Sequence, residues 1–211
     1  MTGQVRRILA IVAVWVCFGG CAAFAPRADP SSFYILGALP DADLAADKTT
    51  AGGIKANFSV GLCPIELPGY LDRQQIATRT SANRLSYSET DRWAAPLAES
   101  FSRVLGQNIS HLLNPAQMIQ VPWQSSDAPD YQVKIEVLQF EANSGQEVWL
   151  TARWSVNDRN KKILVSQRSH LHRRAGSLAT EDFVKALSET LGDLSREIVK
   201  TLLLIEKQRK T

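Results

Sequence analysis

The stretch that decides the fold runs from residue 131 to residue 137 and reads Tyr131-Gln132-Val133-Lys134-Ile135-Glu136-Val137. Apolar residues occupy every second position, and polar or charged residues occupy the positions between them. Because successive side chains of a β-strand point to opposite faces of a sheet, this alternation predicts a strand with one buried face and one polar face.

A second stretch repeats the alternation and a third continues it. In the second, the apolar positions are Val148, Leu150, Ala152, Trp154 and Val156. Turn residues at 143–145 separate it from the first stretch, and a further turn at 157–161 leads into a third strand at 163–170. Short turns join antiparallel neighbours, so the pattern predicts an antiparallel meander. Its outer face, which is either solvated or bound to another subunit, carries Lys134, Trp149, Arg153 and Arg168.

Two segments carry helical periodicity instead. The first has an apolar residue every three or four positions, namely Trp93, Leu97, Phe101, Val104, Leu105, Ile109 and Leu112. Pro96 must lie near the start of this helix, because a deeper proline would break its hydrogen bonds. The second stripe runs from about Thr180 to Lys207. The sequence therefore predicts an α+β fold, an antiparallel sheet with two long amphipathic helices packed on one face.

The chain opens with a pattern typical of a secretory signal. Arg6 and Arg7 precede nine apolar residues, 8–16, and the run ends in Phe18-Gly19-Gly20-Cys21. A Cys directly after small residues is typical of a lipoprotein signal, which is cut before that Cys. We therefore predict lipidation of Cys21, and three acyl chains on it would anchor the protein stably to a membrane.

Two other interpretations of this N-terminus stay open. A membrane-spanning anchor needs about 20 apolar residues, and residues 8–24 provide 17 with two glycines among them. An ordinary secretory cut after Ala23 or Ala25 would discard Cys21 altogether.

The lipoprotein interpretation divides the chain into three parts. Residues 1–20 are the predicted signal peptide, residues 21–32 the lipidated Cys and a flexible tether rich in Ala and Pro, and residues 33–211 a single domain. In enterobacterial lipoproteins an Asp after the lipidated Cys tends to hold the protein at the inner membrane. Ala22 occupies that position here, which favours the outer membrane, with the domain facing the periplasm.

Composition argues against several functions. The formal charge of +3 falls to +1 once residues 1–20 are removed, so a basic surface for nucleic acid is not indicated. Cys63 is then the one free thiol, and it cannot form an internal disulfide.

His170 and His172 share one face of a strand, which could begin a metal site, but a solvated strand end is the preferred interpretation. We predict no catalytic residues, no metal and no cofactor, and hence no enzyme.

Two motifs carry a family resemblance. The first motif reads Val60-Gly61-x-x-Pro64-Ile65-x-Leu67-Pro68-x-Tyr70-Leu71-Asp72-Arg73-x-Gln75-Ile76, and the second motif reads Arg92-Trp93-Ala94-Ala95-Pro96-Leu97. With the opening Phe33-Tyr34-Ile35-Leu36, they resemble the PqiC family of ABC-type transport auxiliary lipoproteins, also described as membrane-integrity-associated transporter subunits. Gln74 stands where the family usually has Pro, and Ala95 where it usually has Glu.

The motif residues are interpreted as structural rather than reactive. Prolines and a glycine impose an irregular path after a strand, and Tyr70 and Leu71 can plug that loop into the core. The second motif builds the start of the first long helix. The candidate structural residues are Pro64, Pro68, Tyr70, Leu71, Asp72, Arg73, Arg92, Trp93, Pro96 and Leu97.

The resemblance also implies a function. Such lipoproteins work beside MCE-domain proteins, which span the periplasm and carry lipids between the inner and outer membranes. The chain would be a non-catalytic outer-membrane subunit that docks or stabilises the lipid conduit and supports envelope integrity, with an MCE-domain protein as partner and a homo-oligomer as one arrangement. The alternative is a lipoprotein binding module of another envelope machine, for lipopolysaccharide or outer-membrane protein assembly.

Overall fold

The computed structural model describes residues 29–40, 43, 57–113, 117–119 and 128–210. The chain divides into a unit Met1–Pro30, of which only Asp29 and Pro30 are described, and a unit Ser31–Thr211. The second unit contains strands β1 (Ser32–Tyr34), β2 (Ser59–Leu62), β3 (Gln75–Ser81), β4 (Arg84–Trp93), β5 (Gln117–Ile119), β6 (Tyr131–Asn143), β7 (Glu147–Asp158) and β8 (Ile163–Arg174), and helices α1 (Leu97–Leu113) and α2 (Thr180–Arg209).

Strand β6 is the centre of the sheet because it pairs with three strands, β2, β3 and β7. On one edge it runs antiparallel to β7, which in turn runs antiparallel to β8. On the other edge β2 pairs with the first residues of β6 and β3 pairs with the last. Beyond β2 lies β5, and beyond β3 lie β4 and then β1. Across the described part of the chain, β1 and β8 are therefore opposite edges of one eight-stranded sheet.

The α+β class is confirmed, but the prediction of an antiparallel sheet is wrong. The sheet is mixed, and of the seven strand pairings in the described ranges four are parallel, namely β1–β4, β2–β5, β2–β6 and β3–β6. Helix α1 lies between β2 and its partners β5 and β6 in chain order, and such crossover connections give parallel pairs. The alternating pattern revealed only the local meander β6–β7–β8, which is antiparallel as expected.

A β-bulge in β6 decides which side chains meet the helices. Val137 pairs with Ala152 and Phe140 with Leu150, with a register shift between them. The extra residue keeps Val137 and Phe140 on one face although they are three positions apart. Glu141 consequently falls on the opposite face.

Both helices cover the same face of the sheet, as predicted. The ring of Phe101 in α1 contacts that of Phe140 edge-on, with centroids 5.3 Å apart. Ser169 of β8, which pairs with Ala152 on this face, donates a hydrogen bond to Glu197 of α2. The largest fully buried side chains between the layers include Leu105, Ile109, Leu150, Leu191, Leu194 and Ile198.

Helix α1 begins later than the apolar stripe indicated. Trp93, the first residue of that stripe, ends strand β4, and the helix begins at Leu97. Pro96 directly precedes it, and Ser100 N donates to Pro96 O at 3.0 Å, the first bond of the helical pattern. A proline is tolerated there because the first helical N–H groups have no intrahelical partner.

Residues 35–40, called the strap here, cross both helices. Leu39 N donates to Asn108 Oδ1 of α1 at 2.9 Å, and Gly37 N donates to Ser188 Oγ of α2 at 3.1 Å. Leu39 lies so close to α2 that a Cβ added at Gly192 would be 2.5 Å from its Cδ2 atom. The strap therefore ties the strand edge to both helices. None of the described helices combines the length and apolarity of a membrane span.

Candidate functional site

The predicted lipidation site lies outside the described residues. Cys21 and residues 22–28 of the predicted tether are not described, and the structure begins at Asp29. Lipidation therefore stays a prediction from the sequence. The site that the structure can describe is the surface built by the two motifs.

The proline-rich part of the first motif fills the gap between β2 and β3 along the edge of β6. Cys63 N donates to Val133 O at 2.9 Å, Glu66 N to Ile135 O at 3.2 Å, and Val137 N to Glu66 O at 2.8 Å. Pro64 and Pro68 lie on either side of Glu66, and neither has an N–H group to leave unpaired. The segment thus follows a sheet edge without forming a regular strand.

Tyr70 of the first motif and Arg79, which follows the motif, satisfy a buried carboxylate. Tyr70 donates from its hydroxyl to Glu141 Oε2 at 2.8 Å, and Arg79 Nε donates to Glu141 Oε1 at 2.7 Å. Glu141 is 1% exposed, so its charge needs these partners. Burial, and then the Glu141 charge, raise the pKa of Tyr70 well above its usual value, while the hydrogen bond to Glu141 raises the pKa of Arg79. The tyrosine therefore stays a neutral donor.

The remaining residues of the first motif have different environments. Leu71 is buried in the core, whereas Asp72 and Arg73 are exposed. The Arg73 guanidinium lies 4.4 Å from the centroid of the Tyr87 ring, a cation–π contact. The Tyr87 hydroxyl in turn donates to Tyr70 O at 3.3 Å. The loop is held by this chain of contacts.

The second motif joins β4 to α1 and meets the first motif. Trp93 and Leu97 are buried, and Trp93 N donates to Gln74 O at 2.7 Å. Arg92, beside them, is half-buried, and its Nε atom has no hydrogen-bond partner among the described residues. The two motifs therefore form one continuous structural unit.

Asp91, just before the second motif, links three elements that the sequence did not connect. Its Oδ2 atom accepts hydrogen bonds from Ser88 Oγ at 3.1 Å and from Thr180 Oγ1 at 2.7 Å. The hydroxyl of Tyr34 donates to Oδ1 at 3.4 Å. One carboxylate thus holds β1, β4 and the start of α2 together.

A groove of about 670 Å³ lies between α1 and the strands β2 and β5. Its apolar lining includes Leu62, Ile65 and Met118, and Pro64 of the first motif forms part of its wall. Glu99 and His111 of α1 contribute polar groups. An apolar lining with a few polar groups is typical of a binding surface. Sequence reasoning missed this groove because its walls come from distant segments.

The candidate reactive groups do not resemble an activated site. Cys63 is half-buried, and burial raises the pKa of its thiol, which is the reverse of what a nucleophilic cysteine needs. His170 Nδ1 lies 3.3 Å from Thr151 Oγ1, and the His172 ring stacks on Trp149 with centroids 4.9 Å apart. Within the described ranges, no three His, Cys, Asp or Glu side chains are grouped to hold a metal ion.

The outer face of the meander is largely engaged within the domain. Arg153 pairs with Glu136 at 2.9 Å and Lys134 pairs with Glu66 at 3.1 Å, and all four of these side chains are exposed. With Trp149 stacked on His172, this face is a network of surface contacts.

Comparison with solved structures defines the class of fold. A crystal structure of an uncharacterized protein is 17% identical, with a TM-score of 0.66, and the match covers 82% of this chain and 98% of that one. Protein XCC0632 from Xanthomonas campestris, of the DUF330 family, is 15% identical with a TM-score of 0.67, covering 85% of this chain and all of that chain. At such identities the likeness shows a shared α+β fold alone.

The family follows from the sequence itself. Residues 39–199 match the model of the ABC-type transport auxiliary lipoprotein component, and this chain belongs to that family. The resemblance that the two motifs indicated is thereby confirmed. The family is one of membrane-associated envelope lipoproteins that assist transport. Comparison with curated proteins gives no match.

Proposed function

We propose that this protein is a non-catalytic, lipid-anchored subunit of an MCE-type lipid transport system, held on the periplasmic face of the outer membrane by acyl chains on Cys21. The observation that carries the proposal is its membership of the auxiliary lipoprotein family over residues 39–199. The signal ending in Cys21 supports the anchor, and the likeness of the two motifs to the PqiC family supports the MCE partner.

In this role the domain docks on or stabilises the lipid conduit, and ATP hydrolysis and translocation belong to its partners. The contacts of the motif residues fit such a role, because Tyr70 and Arg79 satisfy Glu141 and Trp93 supports the core. The groove beside α1 offers an apolar surface to a partner. The edge strand β8 offers backbone groups through which copies of the chain could associate.

The anchor is tested by mass spectrometry of the N-terminal peptide of the mature protein. We expect the peptide to begin at Cys21 and to carry acyl chains. Cys21→Ala, exported by a cleavable secretory signal, should give a folded soluble domain that does not protect the envelope. Full complementation by this soluble form would contradict the anchoring role.

The partner is tested by affinity capture of the tagged native lipoprotein in several mild detergents. We expect an MCE-domain protein to be recovered, and adjacent genes for an MCE protein, a permease and an ATPase would agree with this. Recovery of lipopolysaccharide or outer-membrane protein assembly components, without an MCE protein, would favour the alternative role and reject the proposal.

A further inference from the structure

Two large apolar side chains lie exposed at the sheet edge that follows the predicted tether. Phe33 of β1 is 64% exposed, and Ile35, just after the strand, is 57% exposed. Leu36 is buried and Tyr34 packs against the core, so the chain alternates between inward and outward positions. In the described part of the sheet β1 pairs with β4 alone. Phe33 and Ile35, called the edge patch here, therefore share the outward side of an edge strand.

A cationic side chain accompanies the edge patch. Arg92 is in register with Phe33 in the parallel pair β1–β4, so both side chains lie on the same side of the sheet. Its Nε atom is buried and has no hydrogen-bond partner within the described ranges. Apolar side chains next to an arginine suit a bilayer surface, where the apolar groups enter the acyl boundary and the positive charge of the arginine attracts lipid phosphates.

The length of the tether keeps the edge patch close to the membrane that holds the lipid. Eleven residues lie between Cys21 and Phe33. Even fully extended, such a segment spans at most about 40 Å, and a flexible one averages about 20 Å. A group held at that range meets the bilayer at high effective concentration, so a weak second contact is formed readily.

We infer that the edge patch, together with Arg92, inserts into the headgroup region of the membrane to which Cys21 is anchored. The inference rests on the lipid anchor of the proposed function and goes beyond it, because it gives the domain a defined orientation. The side of the sheet that carries Phe33 and Arg92 meets the lipid beside β1, and β8, at the opposite edge of the sheet, lies farther from the membrane. A partner that spans the periplasm would then approach from the β8 side.

Spin-label accessibility on the mature, lipidated chain tests this orientation. Cys63→Ala leaves no free thiol once Cys21 is acylated, so Phe33→Cys can be labelled alone with a nitroxide. The matched control is Ile163→Cys on β8, where the native side chain is 62% exposed. The protein is reconstituted in vesicles of phosphatidylethanolamine with a minor fraction of phosphatidylglycerol, and collisions with oxygen and with a water-soluble nickel chelate are measured.

We expect the label at 33 to collide several-fold less often with the nickel chelate, and more often with oxygen, than the label at 163. Adding Ile35→Ser should restore nickel access at 33, because Ile35 is the apolar side chain of the patch that remains after Phe33→Cys. Leu164→Ser, next to the control label, should change nothing. Unchanged thermal unfolding of each labelled chain shows that the domain remains folded.

Three results would overturn the inference, and they are distinguishable. Equal nickel access at 33 and 163, with an acylated protein that floats with the vesicles, rejects the patch and leaves the anchor intact. Shielding of 33 only after a partner protein is added assigns the patch to a protein interface instead. An unmodified Cys21 removes the anchor of the proposed function and the inference together.

Discussion

Tyr70 and Glu141, 71 residues apart in the chain, are joined by a hydrogen bond of 2.8 Å from the tyrosine hydroxyl to the carboxylate. The bond connects the first motif to the outward side of β6, where the bulge has placed Glu141. Arg79 binds the other carboxylate oxygen at 2.7 Å. Tyr70 of the first motif and Arg79, three residues beyond the motif, therefore stabilise the buried charge of Glu141, and removing either side chain should lower the free energy of unfolding.

Tyr70→Phe should destabilise the domain without changing its shape. The substitution removes the shorter of the two hydrogen bonds to Glu141 Oε2, whose other donor is Phe140 N at 3.1 Å, and loss of a hydrogen bond to a buried charged group costs about 1–3 kcal/mol. Urea unfolding of the two proteins measures the difference. Tyr87→Phe is the matched control, since its hydroxyl donates at 3.3 Å to a backbone carbonyl at a half-buried position, and it should cost less than Tyr70→Phe. Equal losses would contradict the role assigned to Glu141.

Arg79→Met should be more damaging than loss of a surface ion pair. It leaves the charge of Glu141, 1% exposed, without its cation, at a cost of about 3 kcal/mol. Arg153→Met breaks a pair of similar length with Glu136 in which both partners are exposed, and should cost less than about 1 kcal/mol. The denaturant midpoints of the two variants, compared at equal m-values, measure the two losses of stability. Indistinguishable midpoints would show that Glu141 is not held as a buried anion.

The two helices should respond oppositely to the same glycine substitution. In α1, a Cβ at Gly106 would meet Leu62 Cδ1 at 3.5 Å, an ordinary contact, so Gly106→Ala should stabilise by about 0.5–1 kcal/mol through helix propensity. In α2, Gly192→Ala should instead destabilise by about 1 kcal/mol, because Leu39 of the strap is in the way. Thermal unfolding of both variants shows whether each is more or less stable than the wild type.

A second variant tests whether Leu39 causes the loss of stability in Gly192→Ala. Leu39→Ala removes the obstructing methyl groups, so Gly192→Ala in that background should recover the helix-propensity gain. If Gly192→Ala still lowers stability in the Leu39→Ala background, a residue other than Leu39 obstructs the added methyl group.

Glu206, near the end of α2, should make stability depend on acid pH. Burial opposes its ionisation, but hydrogen bonds from Tyr131, at 2.7 Å, and Lys210, together with the nearby Arg209 charge, outweigh it and lower the pKa below the ordinary 4.5. A carboxyl with a depressed folded pKa contributes stability above its unfolded pKa, and that stability is lost as the pH falls through the folded pKa.

The measurement is the free energy of unfolding as a function of pH. Glu206→Gln should be less stable at neutral pH and should show a shallower loss between about pH 5 and about pH 3 than the wild type. At the basic end, burial and the same partner raise the pKa of Tyr131 to about 12, so the Tyr131–Glu206 bond should persist through neutral and mildly basic pH. If the free energy of unfolding falls equally with pH in the variant and in the wild type, Glu206 is not the group responsible for the acid dependence.

Local pattern predicted much of the fold. The alternation at 131–137 and 148–156 identified β6 and β7, and apolar stripes identified α1 and α2, because side-chain periodicity reports the backbone geometry of a single segment. The predictions were wrong at positions where two segments of the chain meet. Trp93 continued the helical stripe in sequence, yet it is the last residue of β4, buried in the core. Burial against other elements, rather than helix geometry, makes that position apolar.

The candidate site was less accessible to sequence reasoning. Val137-Leu138-Gln139-Phe140 interrupts the alternation of β6, and this irregularity was the one local signal of the bulge that exposes Glu141 to Tyr70. Nothing adjacent to Asp91 indicated that Thr180 would bind it. The groove beside α1 likewise depends on residues from β2, α1 and β5.

The sequence by itself determined the helices, the central strands, the family and the prediction of a lipid on Cys21. Each of these depends on a pattern of residues that are neighbours in the chain. Tertiary structure alone decided that the sheet is mixed, that Glu141 is clamped by Tyr70 and Arg79, and that Phe33 and Ile35 remain uncovered at an edge. The physical reason is that burial and pairing belong to contacts between distant segments. Those contacts form only when the crossover through α1 returns the chain to β6.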